Sequence, residues 1–379
     1  MTSDLFDLGA NFAKREIAPH LQEWEDAGEI PRELHKAAGA LGILGIGFAE
    51  DKGGQGGTLT DVNDLTEGMI AGGASSGLIA GLFTLGIAIP HILNHGSADL
   101  IQRYGVPTME GEKIGSLAIT EPGGGSDVAR LRTTAVRDGD HYVVNGTKTF
   151  ITSGVRADFV TTAVRTGGPG ASGVSLLVID KNTPGFTVDR TLAKMGWHCS
   201  DTAELGFADV RVPVGNLVGE ENHAFAYIAE SFVTERIWLA VQAYAIAQRS
   251  LVLTAQWCRD RSTFGDPMIT RQVVRHRLVE MHRQCEVARS YTRAVAAEYD
   301  AGGGVVTPDL IAKAVLAKQT AVEASQWVCD TAVQLHGGLG YMHGTEVERH
   351  YRDTRILPIG GGATEVMTDL AAKLLGYTA

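Results

Sequence analysis

The stretch "HYVVNGTKTFITSG", residues 141–154, decides the architecture. Polar and apolar residues alternate around Asn145-Gly146, a pair that accepts the positive φ angles of a two-residue hairpin turn. The segment reads as two strands joined at that turn. Three runs downstream, "ADFVTTAVRT" (157–166), "GVSLLVID" (173–180) and "GFTVDR" (185–190), carry the same β signature, with turn formers between them. Residues 115–219 are expected to form an antiparallel β domain.

Both flanks change period. Leu5, Leu8 and Phe12 fall on one helical stripe, Pro31 suits a helix start, and "GGQGG" at 53–57 reads as a loop. Downstream, "TPDLIAKAVLAKQTAVEASQWVCDTAVQLHGG" (307–338) offers Thr307 as N-cap, Pro308 as first helical residue and Gly337-Gly338 as a stop. Leu310, Ala314, Ala317, Ala321, Ala324, Val328 and Leu335 make a small-residue stripe for close packing. "AGGGVV" at 301–306 reads as a loop between helices. The fold class is α+β: an N-terminal all-α domain (1–114), a middle antiparallel β domain (115–219) and a C-terminal helical bundle (220–379). That order excludes a dinucleotide-binding fold, and no P-loop sequence is present.

Composition narrows the function. The chain has 379 residues, 44% hydrophobic and 20% charged, with a net charge of −11. An acidic chain without a basic run is not a nucleic-acid binder. No basic segment precedes an apolar core at the N-terminus. The longest apolar stretch, "GLIAGLFTLGIAIPHIL" (77–93), is interrupted by Gly86 and Pro90 and reads as a buried helix, not a membrane span. Cys199, Cys258, Cys285 and Cys329 show no metal-ligand spacing. They are expected to be reduced thiols in a cytoplasmic protein with no metal site. His336, His343 and His350 read as turn and helix-end residues.

Two local anomalies point to chemistry. "LPIGGGATEVM" (357–367) holds three consecutive glycines before a helix start. Such a loop can cradle a phosphate, let a ligand approach the backbone, or form a turn. In "FVTERIWLAVQAYAIAQ" (232–248), Glu235 lies on a stripe with Ile228, Phe232, Leu239, Gln242 and Ile246. A carboxylate in an apolar stripe is either paired to a neighbouring helix or held at raised pKa for proton transfer.

Six ordered segments resemble the acyl-CoA dehydrogenase family: "LAITEPGGGSDVA" (117–129), "GTKTFITSG" (146–154), "VPVGNLVGEENHAF" (212–225), "RDRSTFG" (259–265) with Gln272, "QLHGGLGY" (334–341) and "RHYRDTRILPIGGG" (349–362). "EIPRELHKAAGALGILGI" (29–46) fits as well. The resemblance implies FAD, a homo-oligomer (usually a tetramer), an acyl-CoA substrate and an electron-transferring flavoprotein as partner. Alternatives on the same fold are an oxygen-using acyl-CoA oxidase or a non-catalytic, partner-dependent acyl-CoA-binding subunit. It places Thr120, Phe150 and Thr152 at the flavin ring and Ser126 at pyrophosphate or pantetheine. Phe150 stands where many members have Trp. The resemblance further implies that Arg261, Phe264, Gln272 and the Gln334, Gly337, Gly338 turn reach the cofactor across a subunit boundary.

The family's usual base is a Glu in the glycine loop, and here Gly361 stands at that position. Members resembling isovaleryl-CoA and long-chain acyl-CoA dehydrogenases carry the base in a Glu-Arg pair on a long helix, and Glu235-Arg236 matches. Glu235 is therefore expected as base. The Gly361 N–H is expected to hold the thioester oxygen, Gly360 to leave room for a bulky acyl group, and Arg236 to touch CoA or hold its helix. Glu365, in the first turn of the last helix, reads as a dipole partner. Ala363 replaces a common Thr or Ser, and Thr364 is expected to take over that contact. The substrate expected is branched-chain or medium to long.

Overall fold

The computed structural model describes residues 3–378. The first third is helical, including α1 (Asp4–Phe12), α2 (Leu59–Ala71), α3 (Ser76–Leu82), α4 (Leu85–Ala88) and α5 (Pro90–His95). Ser3 caps α1 by accepting the Phe6 N–H at 3.2 Å, and Phe12 is buried. Thr58 and Asp61 cap α2 reciprocally.

The apolar stretch 77–93 is buried as expected but is three helices, not one. Thr84 turns its hydroxyl back to the carbonyls of Ala80 and Gly81, at 2.9 and 3.0 Å. Pro90 then opens α5 without a backbone N–H. The two halves bend by 51°, and among the described residues no single helix is long and apolar enough to cross a membrane.

The middle third is one sheet: β1 (Gly115–Ala118), β2 (Thr134–Asp138), β3 (His141–Thr152), β4 (Phe159–Arg165), β5 (Val174–Asp180), β6 (Phe186–Thr191), β7 (Thr202–Pro213) and β8 (Leu217–Val218). Its order is β6-β7-β3-β2-β4-β5-β8, antiparallel along most of its ladders. β1 joins β4 in parallel, and β2 touches β4 in parallel at one pair.

The Asn145-Gly146 turn is a correction. β3 runs unbroken through both residues, and the hairpin turns at Gly139-Asp140, between Asp138 and its partner His141. Asn145 instead exchanges two hydrogen bonds with Asp209 on β7, at 3.0 and 2.9 Å, beside a break in register. A Cβ on Gly146 would stand 2.7 Å from Thr133 Cα. The glycine serves a close backbone approach at a strand irregularity, which favours the same residue types as a turn.

The last third holds α6 (Ala224–Asp260), α7 (Gln272–Ala301), α8 (Pro308–His336), α9 (Glu346–Thr354) and α10 (Thr364–Leu374). α8 starts and stops where its caps indicated: Thr307 accepts the Leu310 N–H at 3.2 Å, and Gly337 takes φ +61°. Its alanines are buried against α6 and α7, so the helices approach closely.

Candidate active site

Most of the Glu235 stripe is in the interior. Ile228, Leu239, Gln242 and Ile246 are buried, while Phe232 and Glu235 stay half-buried on α6. The three glycines lie opposite. Gly361 and Gly362 adopt φ +64° and +101°, so the chain turns back before α10 in a way side chains resist. A Cβ on Gly361 would stand 2.5 Å from Leu239 Cδ1, 3.3 Å from Glu235 Oε1 and 3.5 Å from Lys318 Nζ. The carboxylate of α6 therefore occupies the space that a side chain at 361 would enter.

Glu235 accepts no hydrogen bond among the described residues. Burial pushes its pKa up, against the opposing pull of Lys318 and Arg236. A carboxylate whose pKa is raised by burial is suited to accepting a proton near neutral pH. The Gly361 N–H likewise has no partner among the described residues, which leaves a backbone donor free for a ligand oxygen.

Lys318 escaped the sequence reading. Its Nζ donates to the carbonyls of Gly360 and, at 2.8 Å, of Gly362. The signal was available: a lysine four residues after Ala314 and three before Ala321, inside the buried stripe of α8. Arg236 is buried, one residue round the helix from Glu235, with its guanidinium 5.3 Å from the Phe232 ring centroid. Its Nε has no hydrogen-bond partner among the described residues. The helices of the 76–95 stretch meet α6 on these same turns. Trp238 packs edge-on to Phe83 at 6.4 Å, and Ser231 lies 3.3 Å from His91 Nδ1.

A second group gathers at the end of the sheet. The Thr149 N–H donates to the Thr120 carbonyl at 2.9 Å, and the Ser116 hydroxyl to the Thr152 carbonyl at 2.6 Å. Thr120, Phe150 and Thr152 thus share one edge. Neither threonine hydroxyl has a partner among the described residues. Phe150, at φ +60°, is 68% exposed. Ser126 is exposed in the adjoining glycine loop. The segment between β6 and β7 is tied to α9, the helix that precedes the glycine loop, through Asp353, which accepts the Trp197 N–H at 2.7 Å.

The third group is elsewhere. Arg261 follows α6, 26 residues beyond Glu235, or roughly 39 Å along the axis. Phe264, at φ +52°, tips a two-stranded ribbon (Ser262–Thr263 with Asp266–Pro267) and is 98% exposed. Gln272 opens α7, while Gln334, Gly337 and Gly338 end α8; all four are exposed. Trp257 joins the two ends, donating to the Leu335 carbonyl at 3.1 Å and stacking on His336 at 5.4 Å. One chain therefore brings Glu235, Arg236, Gly360, Gly361 and Thr364 near each other, but not Arg261, Phe264 or the Gln334 turn.

Thr364 holds the loop, its N–H donating to the Pro358 carbonyl at 3.0 Å. Glu365 is exposed in the first turn of α10. The three histidines separate: His336 caps α8, His343 is exposed beside Asp26, and His350 is buried against Ser250. The four cysteines are buried and unpaired.

Sequence profiles of the N-terminal, middle and C-terminal domains of acyl-CoA dehydrogenases match residues 3–112, 116–210 and 222–376. The chain belongs to the acyl-CoA dehydrogenase family. It is 37% identical over 369 residues to the mitochondrial long-chain specific acyl-CoA dehydrogenase of Sus scrofa, covering 96% of this chain and 83% of that protein. It is 34% identical over 365 residues to the mitochondrial isobutyryl-CoA dehydrogenase of Bos taurus, covering 96% and 86%. The crystal structure of a probable acyl-CoA dehydrogenase from Mycobacterium abscessus is 59% identical and superposes with a TM-score of 0.96 over 98% of both chains. Membership makes this an oxidoreductase fold built for acyl-CoA, and the glycine at 361 sits within its C-terminal domain.

Proposed function

We propose that this chain removes the α-proton and the β-hydride of an acyl-CoA to give the trans-2-enoyl-CoA, with Glu235 as base. The observation that carries the reading is the place of Glu235 Oε1, 3.3 Å from where a side chain on Gly361 would begin. The base has changed element while keeping its position over the glycine loop.

The α-proton of a thioester is weakly acidic, so its removal needs a carboxylate and a partner for the developing charge on oxygen. Glu235 takes the proton at its carboxylate. The free N–H of Gly361 is the donor for the thioester oxygen. Phe232, Trp238 and Phe83 exclude water from the apolar side. FAD, when bound, supplies the acceptor for the β-hydride, which no side chain can be. The uncommitted hydroxyls of Thr120 and Thr152 and the open face of Phe150 fit a flat ring with a polar edge. Ser126 is placed for a phosphate or pantetheine oxygen.

The cluster of Arg261, Phe264, Gln272, Gln334, Gly337 and Gly338 is too far along α6 to complete the same site. It supports a homo-oligomer, a tetramer by family resemblance, in which a second copy holds the other half of the cofactor. Electrons pass to an electron-transferring flavoprotein, and the location is cytoplasmic. The names of the relatives and the room at Gly360 and Gly361 favour a branched or long acyl chain. Replacement Glu235→Gln keeps FAD and acyl-CoA binding and abolishes anaerobic flavin bleaching by substrate. Bleaching at a near wild-type rate would remove Glu235 from the role.

A further inference from the structure

We infer that Lys318 is a positioning residue of this site, strapping the Gly360–Gly362 turn and supplying the positive charge beside Glu235. The inference rests on Glu235 being the base.

Lys318 is 2% exposed, among alanines that are fully buried. Lysine is rarely buried without a partner. Its hydrogen-bond partners are two carbonyls, those of Gly360 and Gly362, one on each side of Gly361. A donor gripping both carbonyls fixes the peptide planes between them. Those planes carry the free Gly361 N–H. The turn needs such a strap, because Gly361 and Gly362 are the residues with the widest choice of backbone conformation.

The second part is charge. Lys318 Nζ and Glu235 Oε1 both lie within 3.5 Å of one point, the place of a Cβ on Gly361, yet they make no hydrogen bond to each other. The ammonium therefore acts on the carboxylate through space, in a region partly closed to water, where such an interaction is strong. The charged groups facing Glu235 are Lys318 from α8 and Arg236 from its own helix, and the glycine loop adds none. Burial pushes the Lys318 amine down to about 8, with Glu235 pulling it back up. It is thus cationic at neutral pH, and it favours the ionised, proton-accepting form of Glu235.

Three variants separate the strap from the charge. Lys318→Gln keeps a donor without charge, Lys318→Arg keeps the charge, and Lys318→Met removes both. The readout is the pH profile of anaerobic flavin bleaching of the holoenzyme by isobutyryl-CoA and by palmitoyl-CoA, with KM taken in parallel. The acid limb is expected to move up by about one pH unit in Lys318→Gln and Lys318→Met, the usual effect of removing an opposite charge at this range. It stays in place in Lys318→Arg. KM rises most in Lys318→Met. A purely structural lysine lowers the rate at every pH and leaves the limb fixed in all three, which overturns the inference. Loss of folding in both Lys318→Gln and Lys318→Met, with Lys318→Arg intact, also overturns it by assigning the residue to stability. If Glu235→Gln still bleaches, the base assignment fails; if that variant is inert and Lys318→Gln keeps its limb, only the present inference fails.

Discussion

Gly361→Ala tests the geometry of the site most directly. The substitution adds one methyl group, and two costs follow. At φ +64° an L-residue is in the left-handed region, which costs about 1–2 kcal/mol. The methyl would also stand 2.5 Å from Leu239 Cδ1, and overpacking of this kind costs roughly 1–3 kcal/mol. The expected loss is about 2–5 kcal/mol, read as a lower melting temperature of the holoenzyme. Gly360 is the control. Its φ is not positive, and a Cβ there would stand 3.7 Å from the Ile356 carbonyl oxygen. Gly360→Ala is therefore expected to be neutral or to stabilise by about 0.4–1 kcal/mol. Leu239 is buried, so Leu239→Ala alone costs about 2–5 kcal/mol; in a double-mutant cycle with Gly361→Ala the coupling term isolates the contact component and leaves the backbone component. Function gives a second axis. The methyl would sit 3.3 Å from Glu235 Oε1, which must give by a few tenths of an ångström, so the bleaching rate should fall, by less than the roughly 100-fold that a 1 Å misplacement costs. Equal melting temperatures for the two alanine variants, with wild-type bleaching by acyl-CoA in Gly361→Ala, would refute the placement of Glu235 against this glycine.

Two further outcomes are expected. Burial and the neighbouring Glu25 raise the Asp353 carboxyl to about 7. The folded state then keeps a proton that the unfolded chain has lost between about pH 4 and 7, so this group's contribution is full below pH 4 and falls by up to about 1.4 kcal/mol per pH unit across that window. Asp353→Asn removes that slope, and unfolding measured at pH 5 and 8 should show its advantage at pH 8; an equal effect at both values refutes the shared-burial account. Phe264 is 98% exposed at the tip of its ribbon, so Phe264→Asp should lower both the molar mass by light scattering and the flavin content per chain. Unchanged values of both would show that no second copy covers it.

Some of this was legible in the sequence because it depends on local signals. The change of period near residues 115 and 219, the caps of α8 and the apolar stripe of α6 each lie within one element, and period and capping act at that range. The Asn145-Gly146 pair misled because it reports only that the backbone is unusual. Whether that becomes a turn or a strand irregularity depended on Asp209 and Thr133, which are distant in sequence. The stretch 77–93 divided for a similar reason, with the Thr84 hydroxyl also 2.7 Å from Ser153 Oγ, just past the end of β3.

The site shows the same boundary. Sequence alone marked Glu235 as a carboxylate on an apolar stripe and 360–362 as a glycine loop; the family resemblance marked Gly361 as the empty base position and linked the two. Only the packing of α6, α8 and the loop before α10 put Glu235 Oε1, Lys318 Nζ and the free Gly361 N–H around one point. Periodicity fixes which face of a helix a residue occupies. It does not fix which atoms of another helix meet that face, because that is set by how three elements pack, and the partners of Lys318, the Gly360 and Gly362 carbonyls, became visible only there.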